Sequence, residues 1–413
     1  MSKTYHINET PPVSVLLPLS LQHILCMFGA TILVPILLKA DPGICLLMNG
    51  IGTLIYLSLC RWQIPAYLGS SFAFISPALA VIGSSSFGFS AAQGGFIVFG
   101  LLFIMLGLIV KKFGHHWIET VLPDAAMGAL VSVIGLELAP VAGQMAGFTA
   151  ETIDHNSILI ATVTFLVTLS VAGGNFRRVS AFPVIIGVGA GTLLAMMLGQ
   201  LDFASLDASP WFASPNFSAP IFEWQSILMI LPATLVVFAE HVGHLIVTGE
   251  VCGKNLVEQP GLHRSLVADG ISNVLSGLAG ATPNTTYGEN IGVMSITRVY
   301  STSVLGVAAC IAVALSFCGK FAALIRLIPT PVMGGVCLLL FGVIAAAGVR
   351  MLVERKVDYS RGANLCLSAG VLIIGTSGIK FSLGGIEWKG MALSALFAVL
   401  CSLWLKFLNQ FQK

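Results

Sequence analysis

Apolar runs of about 20 residues, each long enough to cross roughly 30 Å of hydrocarbon, recur through this 413-residue chain. Inside a bilayer every backbone N–H and C=O must be satisfied by the protein itself, so unbroken helices are the default. One stretch departs from that rule. Residues 281–298, ATPNTTYGENIGVMSITR, lie among the apolar runs yet combine Pro283, Gly288 and Gly292 with several Thr and Asn. Pro and Gly weaken or end helices, and Thr and Asn side chains compete for backbone partners. The stretch also carries a carboxylate, Glu289, followed directly by Asn290. Irregular backbone at membrane depth persists only where protein surrounds it or where it lines a cavity. The stretch therefore reads as a broken span, extended over 283–287 and then a short helix starting near Asn290. Broken spans of this kind are where secondary transporters place their sites.

The composition agrees with a polytopic membrane protein. Hydrophobic residues make up 56% of the chain and charged residues 9%, against roughly a quarter charged in an ordinary soluble domain. Mean hydropathy is +0.93. The net charge of +2 is scattered through short loops and forms no basic arm for nucleic acid. Nine Cys show no CxxC or Cys/His metal spacing, and most fall inside apolar runs, where Cys acts as a small hydrophobe. The first run contains Gln22-His23 and has no A-x-A cleavage site, so it reads as a retained first helix.

The first half reads as spans at 13–38, 42–60, 67–83, 91–110, 121–143, 157–173 and 181–199. A Ser-, Pro- and aromatic-rich loop covers 200–224. The second half reads as 225–248, 264–280, 281–298, 300–318, 328–349, 362–378 and 388–408, which makes fourteen segments in all. The segment at 67–83 is a counterpart of the broken stretch, with extended residues ahead of Ser76-Pro77 and a short helix. With the N-terminus in the cytoplasm, Lys3, Arg177, Arg178, Lys413 and most other cations face inside. Only Lys39, Lys320, Arg326, Lys380 and Lys389 fall outside. The positive-inside rule then puts both termini in the cytoplasm. Three echoes link the halves in the same order: Gln22-His23 with Glu240-His241, Ser71-Phe72 with Thr286-Tyr287, and Leu122-Pro123-x3-Met127-Gly128 with Ile328-Pro329-x3-Met333-Gly334. Seven segments per half is an odd number, so the two repeats must be inverted relative to each other.

Glu240 stands well inside an apolar span. A carboxylate there costs several kcal/mol unless it faces the bundle interior, so it is a functional candidate by default. His244 lies one turn on, along the same helical face, while His241 points about 100° away and suits packing or support of its neighbours. Asp269, with Ser272 and Asn273, sits in the ninth span as a supporting ligand, a member of a proton path, or a residue of the cytoplasmic headgroup region. Gln22, His23 and Asn49 can converge with these.

The motif Glu289-Asn290-Ile-Gly292-x4-Thr297-Arg298 resembles the signature of the nucleobase–ascorbate transporter family, [QEP]-N-x-G-x4-T-[RKG]. Gln22-His23 is similar to that family's Gln-His pair in its first span, and GSSFAFISP and AEHVGHL resemble its bacterial uracil carriers. The resemblance implies an all-α polytopic membrane protein of fourteen segments, built as two inverted repeats of seven. Segments three and ten would each supply a short strand and a half-helix. It further implies a core domain (13–110 and 225–318) that binds substrate and moves against a gate domain (121–199 and 328–408). Family members act as dimers and, in bacteria, as proton symporters in the inner membrane, so a homodimer with no cofactor beyond the coupling proton is the expectation.

Uracil fits these residues chemically. It is flat and neutral, with two N–H donors and two carbonyl acceptors. Glu240 and Glu289 would accept from the ring N–H groups, while freed backbone N–H groups at Phe72 and Gly288 would donate to the carbonyls. Tyr287, Phe72 and Phe74 would pack on the ring. Xanthine and urate carriers of the family have Gln at the first motif position, so Glu289 leans toward pyrimidines. Phe341 falls on the gate side, where similar carriers have Tyr. Asn290 and Thr297 are motif positions behind the site. The proton is assigned to Glu240 with His244 as relay or orienter, or alternatively to Asp269. Carriage of xanthine or another oxo-heterocycle, and anion exchange on the same fold, are the competing readings. No Ser/His/Asp or H-E-x-x-H constellation points to an intramembrane enzyme.

Overall fold

The structure, a computed structural model, describes residues 4–150, 152–174, 182–201, 203–384 and 386–411. The loop cations Lys3, Arg177, Arg178 and Lys413, and the first residue of the span expected at 181–199, lie outside the described residues.

Helices account for most of the chain. The first span consists of α1 (Val13–Cys26) and α2 (Phe28–Leu38), parted at Met27. Next comes α3 (Pro42–Leu59), capped by Asp41, whose side chain accepts the Ile44 N–H. The third segment is strand β1 (Leu68–Ser70), a 3-10 turn (Phe72–Phe74) and α4 (Ile75–Ser84). After it come α5 (Phe89–Phe113), the single turn α6 (Ile118–Val121), α7 (Asp124–Met145), α8 (His155–Gly173) and α9 (Pro183–Met197). The loop at 200–224 contains one short helix, α10 (Ala204–Ala208).

The second half holds α11 (Trp224–Ile230), α12 (Ala233–Cys252) and α13 (Leu262–Ala279). Strand β2 (Asn284–Thr286) then runs into α14 (Gly288–Thr297), followed by α15 (Thr302–Ser316) and the short α16 (Gly319–Arg326). Last come α17 (Thr330–Glu354), α18 (Gly362–Thr376), the hairpin β3 (Lys380–Leu383) and β4 (Ile386–Lys389), and α19 (Gly390–Phe411). Among the described residues, 8 helical spans are long and apolar enough to cross a membrane. Four shorter apolar helices accompany them, at Phe72–Ser84, Pro183–Met197, Thr302–Ser316 and Gly362–Thr376.

Two features depart from the sequence reading. The span at 225–248 is not one helix but two, because Pro232 has no N–H to give the carbonyl of Leu228. That carbonyl accepts instead from Trp388 Nε1, at 2.9 Å. The chain is also not purely helical between its last two spans. There β3 and β4 pair antiparallel around a turn in which Gly384 has φ +61°, and the Phe381 and Trp388 rings stack 6.1 Å apart.

Close helix contacts are made where side chains are missing. A Cβ on Gly100 would fall 2.7 Å from the Gly270 oxygen, and one on Gly270 would fall 2.6 Å from the Gly100 oxygen, so α5 and α13 meet backbone to backbone. Gly50 brings α3 onto α15 in the same way, and Gly135 and Gly348 bring α7 onto α17. Small residues at such contacts replace the hydrophobic driving force that lipid does not provide. As a result α3, α5, α13 and α15 pack together, and α7, α8, α9, α17, α18 and α19 pack together. Helix α12 touches both sets. We expect Gly270→Val to lower stability by about 1–3 kcal/mol, since α5 must give way. Gly189→Ala, which points into open space, should stay within about 0.5 kcal/mol. Thermal unfolding in detergent checks the pair, and equal midpoints for the two variants would contradict the packing argument.

Candidate functional site

The two broken segments meet each other. β1 and β2 pair antiparallel, with Leu68 opposite Thr286, Gly69 opposite Thr285 and Ser70 opposite Asn284, and all six residues are buried. Ser71 N–H donates to Pro283 O and Tyr287 N–H to Tyr67 O, which extends the ladder by one bond at each end. The next N–H on each strand, at Phe72 and at Gly288, is the first of a helix, where no internal acceptor exists. Both N–H groups are thus held at membrane depth at opposite ends of one small crossing, each with the positive end of a helix behind it.

Tyr287 is fixed against the crossing. Its hydroxyl donates to Ser70 O at 2.5 Å, and its ring lies over Gly69, where a Cβ would collide with the ring edge. Gly288 faces His244, and a Cβ there would be 3.1 Å from Nε2. His244 Nδ1 is 3.2 Å from the Thr286 hydroxyl. Glu240 lies one turn earlier on α12, which packs against α14, the helix that carries Glu289. Both carboxylates are half-buried, and among the described residues neither has a side-chain hydrogen-bond partner. Phe72 packs edge-on to Phe341 of α17, centroid to centroid 5.9 Å. The structure thereby brings His244 to Gly288 beside Glu289 and Tyr287, with Glu240 one turn from His244, and it pairs Phe72 with Phe341. A cavity of about 10 Å³, lined by Tyr56, His241, His244, Thr248 and Thr286 among others, has room for a single water beside them.

Other candidates lie elsewhere. Asp269 does not turn to His244 but to His241, with Oδ2 and Nδ1 3.1 Å apart. It also accepts from Asn273 Nδ2 at 3.1 Å. His241 Nε2 lies 2.6 Å from Ser265 Oγ, which lies 2.6 Å from the Tyr56 hydroxyl. Asp269 is therefore buried in a network beneath the site and is not a headgroup residue. Phe74 packs in the core against Phe96 and Phe99 and not beside Phe72, because the 3-10 turn carries it to the opposite side. Thr297 bonds Val293 O within its own helix and ties off the end of α14. Asn290 faces α1, where its amide is 3.1 Å from Met27 sulfur and His23 lies alongside; Gln22 is half-buried on that helix.

Sequence reasoning missed two groups. Asn284 donates its backbone N–H to Asn273 Oδ1 at 2.7 Å and its amide to Ser272, Ser276 and Met48 O, which brace β2 on α13 and α3. The run of three polar residues, Asn284-Thr285-Thr286, in an otherwise apolar region is the signal for this role. Glu137 of α7 carries the same signal as Glu240, a lone carboxylate in an apolar span, and is absent from the candidates above. Two substitutions probe the crossing. Tyr287→Phe removes one hydrogen bond and should cost about 0.5–1.5 kcal/mol. Gly69→Ala displaces the whole ring and should cost more, about 1–3 kcal/mol. The reverse order of thermal midpoints would show that the ring is not seated on Gly69.

Comparison with known proteins places the chain. A sequence profile of the Permease family matches residues 14–383. The chain is 54% identical to the uracil permease of Paenibacillus larvae subsp. larvae, over 99% of this chain and 98% of that one. It is 52% identical to the uracil permease of Escherichia coli (strain K12), over 98% and 94%. In fold it is similar to the transmembrane domain of a cyanobacterium bicarbonate transporter, BicA, with a TM-score of 0.63 at 15% identity, over 97% of this chain and 100% of that one. With its long apolar helices, this is a multi-pass membrane protein, and the chain belongs to the permease family, the nucleobase–ascorbate transporter group that its 289–298 motif resembles.

Proposed function

We propose that this protein is a secondary carrier that imports uracil together with protons across the cytoplasmic membrane, moving its substrate without changing it. The observation that carries the reading is the pair Glu240, in the middle of α12, and Glu289, in the first turn of α14, two half-buried carboxylates without side-chain partners among the described residues. A neutral ring with two N–H donors supplies what they lack, and charge-assisted hydrogen bonds are the stronger kind. The first N–H groups of the helices at Phe72 and Gly288 supply donors for the two carbonyls. Tyr287, Phe72 and Phe341 offer apolar walls. The relatives named uracil permease support the choice of base.

The division of packing supports a core domain of segments 1–4 and 8–11 moving against a gate domain of segments 5–7 and 12–14. The antiparallel crossing of the two broken segments supports two inverted repeats of seven. Cytoplasmic termini rest on the distribution of Lys and Arg, and a homodimer rests on family likeness. Uracil is uncharged at neutral pH, so accumulation needs a coupled ion. Glu240 is our choice of proton carrier, with His244 as its neighbour one turn on. Asp269, held by His241 and Asn273, is the runner-up.

A second reading has one observation in its favour. The fold is shared with a bicarbonate transporter, and helix N-termini also suit anions. Two carboxylates beside those termini would repel an anionic cargo. Competition by unlabelled uracil, xanthine and bicarbonate against uracil uptake separates these cargoes.

In proteoliposomes, uracil accumulation should follow an inward proton gradient and vanish when that gradient is collapsed in the absence of sodium. Persistence of uphill uptake there ends the coupling claim. Glu289→Gln replaces an acceptor with an amide that can also donate, and should weaken uracil binding about 10- to 150-fold, the equivalent of one charge-assisted hydrogen bond. Unchanged binding would remove Glu289 from contact with the base. Glu240→Gln holds the neutral form and should abolish accumulation whether or not binding survives, while His244→Leu should alter the proton dependence more than the affinity. A Glu240→Gln protein that still concentrates uracil with a normal pH profile passes the proton to Asp269.

A further inference from the structure

A second carboxylate site lies away from the crossing. A cavity of about 390 Å³ opens between α4, α7, the end of α18 and the start of α19, and Glu137 and Lys389 both stand in its wall. Both carboxylate oxygens are engaged. One accepts from the backbone N–H of Met391 at 2.8 Å, in the first turn of α19, where unpaired N–H groups and a partial positive charge favour an anion. The approach needs Gly390, which has φ +53° and whose Cβ would collide with the carboxylate. The other oxygen accepts from Ser76 Oγ at 2.5 Å.

These two bonds join different parts of the molecule. The bond to Met391 is internal to the set of helices around α7, α17, α18 and α19. The bond to Ser76 reaches α4, the half-helix that continues from Phe72 and so from the strand crossing. A parallel tie lies close by in sequence. Trp388 of β4, two residues before Gly390, donates to the Leu228 carbonyl released by Pro232 on α11, and α11 packs on α4. The corner formed by β4 and the start of α19 thus grips both elements.

We propose that the Glu137–Ser76 hydrogen bond is a latch that closes this side of the protein. It holds α4 against α7 and α19, and it must break before α4 and the strand crossing can move relative to them. Ser76 and Glu137 are positioning residues here; neither is placed against substrate. The consequence for transport rests on the carrier reading above, whereas the latch itself is a statement about conformation and can be tested without substrate.

The reporter is Leu79→Cys, on the α4 wall of the cavity. Its modification by a membrane-impermeant maleimide, applied from either side of oriented vesicles, is followed by peptide mass spectrometry, with the buried native Cys45 as internal standard. Ser76→Ala should raise the rate at Leu79→Cys about tenfold, equal to ~1.4 kcal/mol in the opening equilibrium. Cys45 should stay protected. Ser76→Thr keeps the hydroxyl and should restore the slow rate, and Glu137→Gln added to Ser76→Ala should produce little further change. An unaltered rate in Ser76→Ala overturns the latch. So does equal acceleration in Ser76→Thr, or a parallel rise at Cys45, since either marks general loosening. Uracil uptake in the same vesicles is scored separately, so failure of the substrate reading leaves the labelling result standing.

Discussion

A three-residue antiparallel pairing at membrane depth is what the rest of this structure depends on. Hydrocarbon has no partner for a free N–H or C=O, so two interrupted helices can exist there only if their extended parts satisfy each other. β1 and β2 do this, and Asn284, Asn273 and Thr282 satisfy the groups around them. The arrangement leaves the first N–H of each half-helix available. Site and fold therefore have one cause.

Around the crossing, the helices are arranged by what is missing from their surfaces. Glycines at positions 50, 100 and 270 let α3, α5, α13 and α15 close on one another, and glycines at 135 and 348 do the same for α7 and α17. Each set is tight within itself. The elements outside these sets make contacts of another kind: an edge-on pair of rings at Phe72 and Phe341, a stacked pair at Trp117 and Phe238, and single hydrogen bonds such as Ser76 to Glu137. Such contacts can be exchanged one at a time, whereas backbone packing around glycine is lost only by separating the helices.

The legibility of individual residues follows the size of the penalty each would incur if misplaced. A carboxylate in hydrocarbon or a Pro and two Gly inside a span are too unfavourable to be accidental, so Glu240, Glu289 and the break at 281–298 could be read directly. Glu137 was equally legible by that rule. The hairpin was too, since Leu383-Gly384-Gly385-Ile386 between alternating residues is a strong turn signal, but it was hidden between two apolar spans. Phe74 was misplaced for a different reason: a 3-10 turn has three residues per turn, so side-chain directions shift from those a helix or strand period implies.

By itself, the sequence determined which stretches are apolar enough to span a membrane, where two of them break and which carboxylates stand out within them, because these depend on the cost of placing a group in hydrocarbon, which is a local property. Tertiary structure alone decided the partners. Asp269 pairs with His241 and not with His244, Trp388 answers a carbonyl freed by Pro232, and Glu137 caps a helix that begins more than half the chain away. Each choice depends on the distance between helices, which is set by glycine contacts and by a strand pairing between residues remote in sequence. No period or spacing along the chain encodes that distance.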